Sequence, residues 1–563
     1  MTILPSSSSD ELVEAPPLPP ALHLALLACL PALLAWLSSL LTRALLARCR
    51  SHPLVRLHQA YDPAAVVAAC AAYHHSSGSG APPSYPVPLL VRAEIVRVWA
   101  GTCSDPALEC LLASNLVARW FVGLPLLGPT PDHSTLNRFH AWLTLHQPSA
   151  LFTDVLAFLD RVEPEDPATT PQIVDTFALE SAAAPTSTAL VLRGLCVQLL
   201  TLWQSQAPPA LQLALTRLDL AALPLRPPSF TPAGYRTHLQ QAAAFATALS
   251  GALTPHLAAL DPLLRQAVQA LLDLLSKLLS DETTTDEQGQ VKERAAKDKG
   301  QYRLASAADP EATFRTHEAT QSFGYNAAIA TTATRIRAAV VPTGSTPDSE
   351  APLLLLEQQQ QGGMALPPSM TMDQAGGWGK TRAQVASRSE GQTTLVAQIP
   401  QSGGADRRRF TPADFQLTVD GTRCRCPTGV ESAQGYVTDG RDGIRFRFTA
   451  KQCAGCPFWE QCRSGESKAA SHRSVYVSWY HEHLRQAAAF NATEEGKALL
   501  RQRWQVEPTI GWLVRYDGCR RARRMGQAAA QCQVFQACAV RNLWRYLGRA
   551  TRRGSPAQEA VCA

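Results

Sequence analysis

The chain has 563 residues, which is long enough for more than one domain with its own core. Its 15 cysteines are too dilute for the disulfide framework of a small secreted scaffold, which favours a reducing compartment. The net charge of +6 is uneven, because residues 501–563 alone carry twelve arginines and three acids. Arginine forks suit phosphate oxygens, so this segment indicates a polyanionic partner. A solvated arginine face without a ligand is the alternative.

The N-terminus combines a predicted disordered tail, residues 1–20, with an uncharged stretch at 21–41. That stretch, "ALHLALLACLPALLAWLSSLL", is long enough to cross a bilayer. Acidic rather than basic residues precede it, which argues against a signal peptide. We predict a buried helix pair there and expect no membrane contact. A membrane anchor is the alternative.

Residues 21–160 are predicted to form an all-helical N-terminal domain. The stretch "LVRAEIVRVWAGTCSDPALECLLASNLVARWFVGL" repeats apolar residues every three or four positions, as core-facing helices do.

Residues 165–548 are predicted to form a second, α/β domain, followed by a tail at 549–563. "PQIVDTFALES" (171–181) predicts a short buried strand that ends at Asp175. Residues 187–300 predict a helical insertion that closes with a charged linker or loop at 280–300. Strand, helix and strand signals then follow in turn between residues 323 and 400, which favours an α/β layer.

Five cysteines fall within 39 residues, in a predicted insertion at 415–465. Zn²⁺ prefers four soft ligands in a tetrahedron, and two short cysteine knuckles supply them. A redox pair and unligated core thiols are the alternatives. The predicted ligands of a structural zinc are Cys426, Cys453, Cys456 and Cys462, with Cys424 as the alternative to Cys426.

Three carboxylates stand out by their surroundings. Asp175 ends a predicted strand, Asp373 precedes the glycine-rich "DQAGGWGK", and Glu507 opens a basic helix. Each has an ordinary interpretation as a turn residue, a loop acid or a partner of the helix dipole. Their joint context decides between these interpretations and a shared site.

Four stretches together resemble a known family: "RWFVGLPLLGPTPDHSTLNRF", "IVDTFALES", "DPEATFRTHEATQSFGYNAAIATT" and "EPTIGWLVRYDGCRRARRMGQAAAQCQVFQACAVRNLWR". In this order and spacing they resemble bacterial insertion-sequence transposases of the D-D-E type. The resemblance is to the subgroup with a cysteine cluster between the second Asp and the Glu, and it runs from about residue 90 to 548.

The resemblance implies an RNase H-like core, a mixed sheet flanked by helices. Residue by residue, it assigns the catalytic, metal-binding acids to Asp175, Asp373 and Glu507. The family usually has Gly-Tyr soon after the second Asp, whereas this chain has Trp378 where Tyr is expected. Asp348 is therefore a competitor for the second position.

The implied chemistry is cleavage and joining of DNA strands at the ends of the chain's own mobile element. Two Mg²⁺ (or Mn²⁺) ions held by carboxylates stabilise the attacking and leaving oxygens of such phosphoryl transfers. The arginines expected to neutralise DNA phosphates are Arg515, Arg520, Arg521, Arg523 and Arg524.

Trp504 and Trp512 are expected to pack in the core rather than to stack on a base. The expected partner is double-stranded DNA, with assembly of a homo-oligomer on it. The expected location is the bacterial cytoplasm, in association with the nucleoid. The rival function is a catalytically silent DNA-binding descendant of such a transposase.

Overall fold

The computed structural model describes residues 20–74, 85–126, 128–216, 218, 222–300, 302–317, 319–400, 410–437, 442–463 and 472–552. The chain is a mixed α/β protein with many helices around one curled mixed sheet. The predicted tail 1–20 lies outside these residues except for Pro20, as does the end of the predicted tail 549–563.

The N-terminal part is helical, as predicted. Its helices are α1 (Pro20–Arg48), α2 (Pro53–Ala60), α3 (Ala64–Ala69), α4 (Val87–Trp99), α5 (Asp105–Ser114), α6 (Leu116–Val122), α7 (His133–His146) and α8 (Ala150–Val162).

The middle of the chain begins with β1 (Gln172–Glu180), α9 (Thr188–Gln206), α10 (Pro209–Gln212), α11 (Pro232–Leu253), α12 (Pro262–Glu282), β2 (Thr283–Thr285) and β3 (Val291–Glu293). It continues with β4 (Thr313–His317), β5 (Thr320–Thr331), β6 (Ile336–Val340), α13 (Ala351–Gln361), β7 (Ser369–Thr371), α14 (Gly379–Arg388) and β8 (Thr394–Val396).

The remaining elements are β9 (Gln416–Leu417), β10 (Cys424–Arg425), β11 (Tyr436–Val437), β12 (Gly443–Phe448), α15 (Ala450–Cys453), α16 (Trp459–Cys462) and β13 (Arg473–Ser478). Four helices follow, α17 (His481–Ala492), α18 (Glu494–Gln502), α19 (Val506–Arg515) and α20 (Gln527–Arg552).

The uncharged N-terminal stretch forms one continuous helix, so the predicted buried pair is wrong. In α1, Leu33, Trp36 and Leu41 are more than half exposed, whereas Leu45 and Leu46 pack against the core. Among the side chains of α1 that the structure describes, those near its C-terminal end therefore contact the core. Among the described helices, no single one is long and apolar enough to cross a membrane. One bent pair, Ala32–Arg48 with Pro53–Ala60, passes that test by length and composition.

The main sheet has an antiparallel half and a parallel half. β5 pairs antiparallel with β1, and β4 and β6 pair antiparallel with different parts of β5. On the other side, β1 pairs parallel with β7, and β7 pairs parallel with β8. β1 is therefore the strand at which the direction of pairing changes.

Side chains of the sheet alternate between two cores, as the period of a strand requires. In β1, Ile173 and Phe177 belong to a large core shared with the N-terminal helices, α19 and α20. Val174 points to the opposite face and packs with Leu355 of α13 and Val385 of α14. Because the first core is continuous, the helical N-terminal part and the sheet are packed as one body.

Helix α20 closes the free edge of β6 with side-chain amides. Asn542 accepts from Ile336 N at 2.7 Å and donates to Ile336 O at 2.9 Å. Gln531 makes the same double contact with Val341 N and Ala339 O, at 2.8 and 3.0 Å. These bonds satisfy backbone groups that an open edge leaves unpaired.

Two insertions have cores of their own. Helices α9, α11 and α12 bury a separate leucine-rich cluster, as the helical prediction for 187–280 implies. The predicted charged loop at 280–300 is wrong in part, because β2 and β3 pair there as a short antiparallel hairpin. The cysteine region is built on β11, β12 and β13, whose aromatic and valine side chains form a fourth cluster.

Candidate active site

Asp175 lies in β1, and Asp373 lies just beyond the end of the neighbouring parallel strand β7. The last parallel pair of β1 and β7 is Ile173 with Thr371, and each aspartate follows its strand residue by two positions. The prediction that β1 ends at Asp175 is wrong, because β1 stays paired with β5 as far as Glu180. β7 ends at this level, so the segment that follows β7 leaves the sheet beside Asp175.

The backbone after β7 turns sharply at Asp373. The Asp373 carboxylate accepts from Ala375 N at 3.0 Å and thereby caps the 3₁₀ turn Gln374–Gly377. A Cβ at Gly377 would stand 2.0 Å from Gln398 O, so the turn has room only for glycine there. The glycine-rich sequence after Asp373 therefore lets the turn pack against the exit of β8.

Glu507 comes from the first turn of α19, a helix that packs on β1. Its carboxylate is more than half exposed and accepts from Arg503 Nη2 at 3.0 Å. The position of Glu507 in the first turn of α19 fits its ordinary interpretation as a partner of the helix dipole. It does not exclude a second role, because the same carboxylate acts on Asp175.

The electrostatics of Asp175 bring the three acids together. The pKa of Asp175 is raised from 3.8 to about 6, mainly by burial and in smaller part by repulsion from Asp373 and Glu507, against the lowering effect of Arg503. A hydrogen bond accepted from Thr176 N at 2.8 Å also lowers it. Acids 198 and 134 residues apart in the sequence therefore share one electrostatic environment.

The three acids are spaced more widely than the ligands of a closed metal site. Nowhere in the described residues do three His, Cys, Asp or Glu side chains form a group that could hold a metal ion. This holds for the three acids and for the cysteines. The donor set itself, three carboxylates, is the kind that Mg²⁺ or Mn²⁺ prefers.

Asp348, the competitor for the second position, is engaged elsewhere. It accepts from Asn326 Nδ2 at 2.7 Å and pairs with Arg315 Nη2 at 3.3 Å. It is also absent from the charges that shift the pKa of Asp175. Asp373 is therefore the better partner of Asp175.

The five predicted phosphate-binding arginines divide into two groups. Arg515, Arg520 and Arg521 are exposed, and Arg521 reaches back to Ser181 O at 3.2 Å. Arg524 instead pairs with Asp105 Oδ2 at 3.1 Å and contacts Asn137. Arg523 is half-buried, and burial lowers its pKa. Arg524 therefore ties the C-terminal segment to the N-terminal helices.

The tryptophans near Glu507 do not pack in the core, contrary to expectation. Trp504 is 61 % exposed and Trp512 is 48 % exposed. Trp378, where the family has Tyr, is also exposed. Burial was expected because tryptophan is usually a core residue, but these rings lie at the surface.

Four cysteines line one cavity of about 30 Å³, which has room for a single water molecule or ion. These are the predicted ligands Cys426, Cys453, Cys456 and Cys462. Burial raises the pKa of Cys453, and the neighbouring thiols of Cys456 and Cys426 raise it further. Cys424, the alternative ligand, is fully buried in the adjoining apolar cluster and does not line the cavity.

Sequence reasoning missed a buried network around Asp309. Its carboxylate accepts from Tyr325 Oη at 2.6 Å, from Gly526 N at 3.0 Å and from Ser181 Oγ. These residues come from the "DPEA", "GYN", "LES" and "RMGQ" stretches. Their place inside the resembling motifs was the available signal that they act together. The network joins the end of β1 to the start of α20, directly behind the arginine segment.

Two segments of the chain match known families. Residues 425–547 match the family described as "Transposase DDE domain". Residues 44–141 match the family described as "Transposase domain (DUF772)". The chain is similar to transposases. The first match contains Glu507 and the arginines, and the second covers most of the N-terminal helices.

No curated protein matches the chain. No solved structure matches it either. Asp175 and Asp373 lie outside both family matches, so their assignment depends on the geometry described above.

Proposed function

We propose that this chain is a DNA transposase that cleaves and joins strands at the ends of its own mobile element by Mg²⁺-dependent phosphoryl transfer. The observation that carries the proposal is the shift in the pKa of Asp175, to which Asp373 and Glu507 both contribute. Three acids from distant parts of the chain thus act on one another electrostatically, next to β1, the strand at which the direction of pairing changes.

An RNase H-like core is part of the proposal. In its support, the sheet is mixed, helices cover both faces, and Asp175 in β1 lies beside the end of the parallel strand β7, which Asp373 follows. Ligand sites in open α/β sheets lie beyond the carboxyl ends of such strands.

Asp175, Asp373 and Glu507 would hold the divalent cation. Bound there, the cation supplies Lewis-acid stabilisation of the charge that builds up on phosphoryl oxygens. Mutual repulsion among the carboxylates makes that position favourable for a cation, because each ionised acid destabilises the others until positive charge arrives. Arg503 supplies part of that charge by pairing with Glu507 and lowering the pKa of Asp175.

The chain's own side chains also prepare the DNA. Arg515, Arg520 and Arg521 follow Glu507 on an exposed surface and would neutralise the phosphates next to the acids. This contribution is largely independent of base sequence and weakens with salt. Assembly as a homo-oligomer on DNA, in the cytoplasm, belongs to the same proposal.

A structural Zn²⁺ in the cysteine cavity is the second part of the proposal. Four thiols line one small cavity, and burial together with neighbouring thiols raises the pKa of Cys453 and Cys462, so a soft cation among them would relieve the repulsion between thiolates. With four protein ligands no position is left open for chemistry, so this metal would hold β11 to β13 and their loops together.

Strand cleavage by the purified full chain tests the catalytic proposal. The substrate is plasmid DNA that carries the inverted repeats flanking the gene, with Mg²⁺ present. Asp175→Asn, Asp373→Asn and Glu507→Gln should each lower cleavage by at least about a hundredfold, because several kcal/mol of charge stabilisation is lost. DNA binding in a gel-shift assay should remain.

Asp273→Asn, an exposed acid of α12, is the matched control and should cleave normally. If Asp373→Asn cleaves normally and Asp348→Asn does not, the second acid is Asp348. If the native chain binds the repeats but never cuts them, the rival function of a silent DNA-binding descendant is correct. The presence of all three acids argues against that rival.

A further inference from the structure

Two aromatic rings form an exposed pair at the end of α19. Trp512 and Tyr516 are 48 % and 57 % exposed, and their ring centroids lie 4.5 Å apart. They stand one helical turn apart, so they share a face of the helix. Trp512 follows Glu507 by five residues, which turns it about 140° around the helix axis, away from the catalytic side.

A buried ion pair supports this aromatic pair from below. The Arg541 guanidinium carbon lies 4.6 Å from the centre of the Trp512 ring. Arg541 in turn makes a two-pronged contact with Asp517, at 2.5 and 2.7 Å. Asp517 is buried, and its backbone oxygen accepts from Thr102 Oγ1 at 2.6 Å. The Trp512 ring is therefore fixed on one side and open to solvent on the other.

Two arginines close to the pair in the sequence carry positive charge at the surface. Arg515 and Arg520 are exposed, and in the described part of the chain neither makes an ion pair. An aromatic face next to free guanidinium groups matches the chemistry of nucleic acid, in which stackable bases alternate with phosphates. This arrangement matches an acidic or apolar protein surface less well, because the Trp512 N–H and the Tyr516 O–H give each ring a polar edge.

We propose that Trp512 and Tyr516 form a stacking surface for an unpaired DNA base, with Arg515 and Arg520 holding the adjacent phosphates. This inference rests on the proposed function, which makes DNA the substrate. It extends the DNA contact of these arginines around α19, to a face that lies about 140° from Glu507. Because Arg541 holds the Trp512 ring in advance, little side-chain entropy is lost when a base stacks on it.

Binding to gapped duplexes that carry 2-aminopurine at the unpaired position tests the inference. Stacking quenches the fluorescence of this base analogue, and the experiment uses the full chain without divalent metal, so cutting does not interfere. Trp512→Ala should weaken binding to the gapped duplex by about 5- to 150-fold and abolish the quench. Binding to the same duplex without a gap should hardly change.

Three further variants make the result specific. Trp512→Phe keeps a ring over Arg541 and should retain most of the quench, whereas Tyr516→Ala should lose part of it. Trp36→Ala removes an exposed tryptophan of α1 and should behave as the native chain does. Thermal unfolding of each variant shows whether a loss of binding reflects a loss of folding. If Trp512→Ala misfolds, the binding and quench of Tyr516→Ala test the stacking surface instead.

Two substrates distinguish the source of the unpaired base. A gapped duplex with the element's terminal repeat and one of unrelated sequence give equal quenching if any distorted DNA is bound. A preference for the repeat indicates the element end. Either result supports the stacking surface.

The inference is overturned if Trp512→Ala and Tyr516→Ala bind gapped DNA as the native chain does. It is also overturned if these substitutions instead convert a dimer into a monomer in light scattering. Failure of the proposed function has a different signature, because a chain that never cleaves DNA can still lose the quench upon Trp512→Ala.

Discussion

Asp175 and Asp373 lie at the same level of two parallel strands, each two residues beyond the pair Ile173–Thr371. The pairing register of β1 and β7 thus sets the distance between the two acids, and a slip of one residue would turn one of them to the opposite face. Glu507 is added from α19, outside the sheet. The geometry of the site depends on one strand register and one helix packing.

The raised pKa of Asp175 predicts a stability cost at neutral pH. A carboxyl group whose pKa is about 6 when folded and 3.8 when unfolded binds its proton more tightly in the folded chain. The cost is therefore absent below about pH 4, grows between pH 4 and 6, and is fully present above pH 6. After allowance for solvent screening it amounts to about 1–2 kcal/mol.

At pH 8, Asp175→Asn should unfold at a higher urea concentration than the native chain, because its free energy of unfolding is larger by about 1–2 kcal/mol. The same variant should lose cleavage. At pH 4 the difference should vanish. Urea titration followed by circular dichroism at both pH values measures it, with Asp273→Asn as the control. An Asp175→Asn variant that is less stable than native at pH 8 would contradict the repulsion described here.

The two groups of arginines should separate by salt dependence. Each phosphate contact that is lost lowers the slope of log affinity against log salt by about 0.9. Arg515→Ala and Arg520→Ala should each reduce the slope by that amount without changing the melting temperature. Affinity for duplex DNA measured by fluorescence anisotropy between low and moderate salt gives the slope.

Arg524→Ala should do the reverse, because Arg524 pairs with Asp105 and Asn137 of the N-terminal helices. We expect a loss of about 1 kcal/mol in unfolding free energy and an unchanged salt slope. Arg265→Ala, an exposed arginine of α12, should change neither quantity. Equal slopes for Arg515→Ala and Arg524→Ala would show that the division into two groups is wrong.

The sequence predicted the secondary-structure elements better than it predicted the surroundings of individual side chains. Local patterns of apolar, β-branched and turn residues predicted β1 and the strand, helix and strand order between residues 323 and 400, because such residue types mark buried strands and the ends of helices. It could not show that Asp175 lies inside a strand, since only the pairing with β5 carries that strand on to Glu180. Arg524 and Trp504 were misjudged for the same reason, because their partners, or lack of them, come from tertiary packing.

The cysteine cavity predicts one bound zinc per chain. Elemental analysis of the purified full chain should give about one Zn. Cys453→Ser and Cys462→Ser should lose the metal, because both thiols line the cavity. Without it, the region of β11 to β13 should become sensitive to protease, since metal binding and local folding are coupled.

Cys424 and Cys426 provide the sharpest comparison within the cluster. Cys424 lies outside the cavity, so Cys424→Ser should keep the zinc, whereas Cys426→Ser should not. Cys110→Ser, an exposed cysteine of α5, is the control and should behave as native. The reverse order for Cys424 and Cys426 would make Cys424 the ligand, and a zinc content near zero in the native chain would defeat the site.

The buried Asp309 network predicts the largest loss of stability. Asp309 has no exposed surface, and its carboxylate is the acceptor for Tyr325, Gly526 and Ser181. Burial raises the pKa of Tyr325, and its hydrogen bond to Asp309 raises it further, so the phenol stays protonated and donates. Asp309→Ala leaves two buried donors, Tyr325 and Ser181, and the partly buried Gly526 N without this acceptor, which should cost about 3–5 kcal/mol in unfolding free energy.

Tyr325→Phe removes a single donor and should cost only about 1 kcal/mol, because no buried group is left uncompensated except one of the carboxylate's lone pairs. Urea unfolding of both variants measures the difference. Since Gly526 precedes α20 and Ser181 follows β1, Asp309→Ala should also loosen the arginine segment between them, and hydrogen exchange at Arg520–Ala522 should rise. Equal stability for the two variants would mean that Asp309 is not the acceptor that holds this junction together.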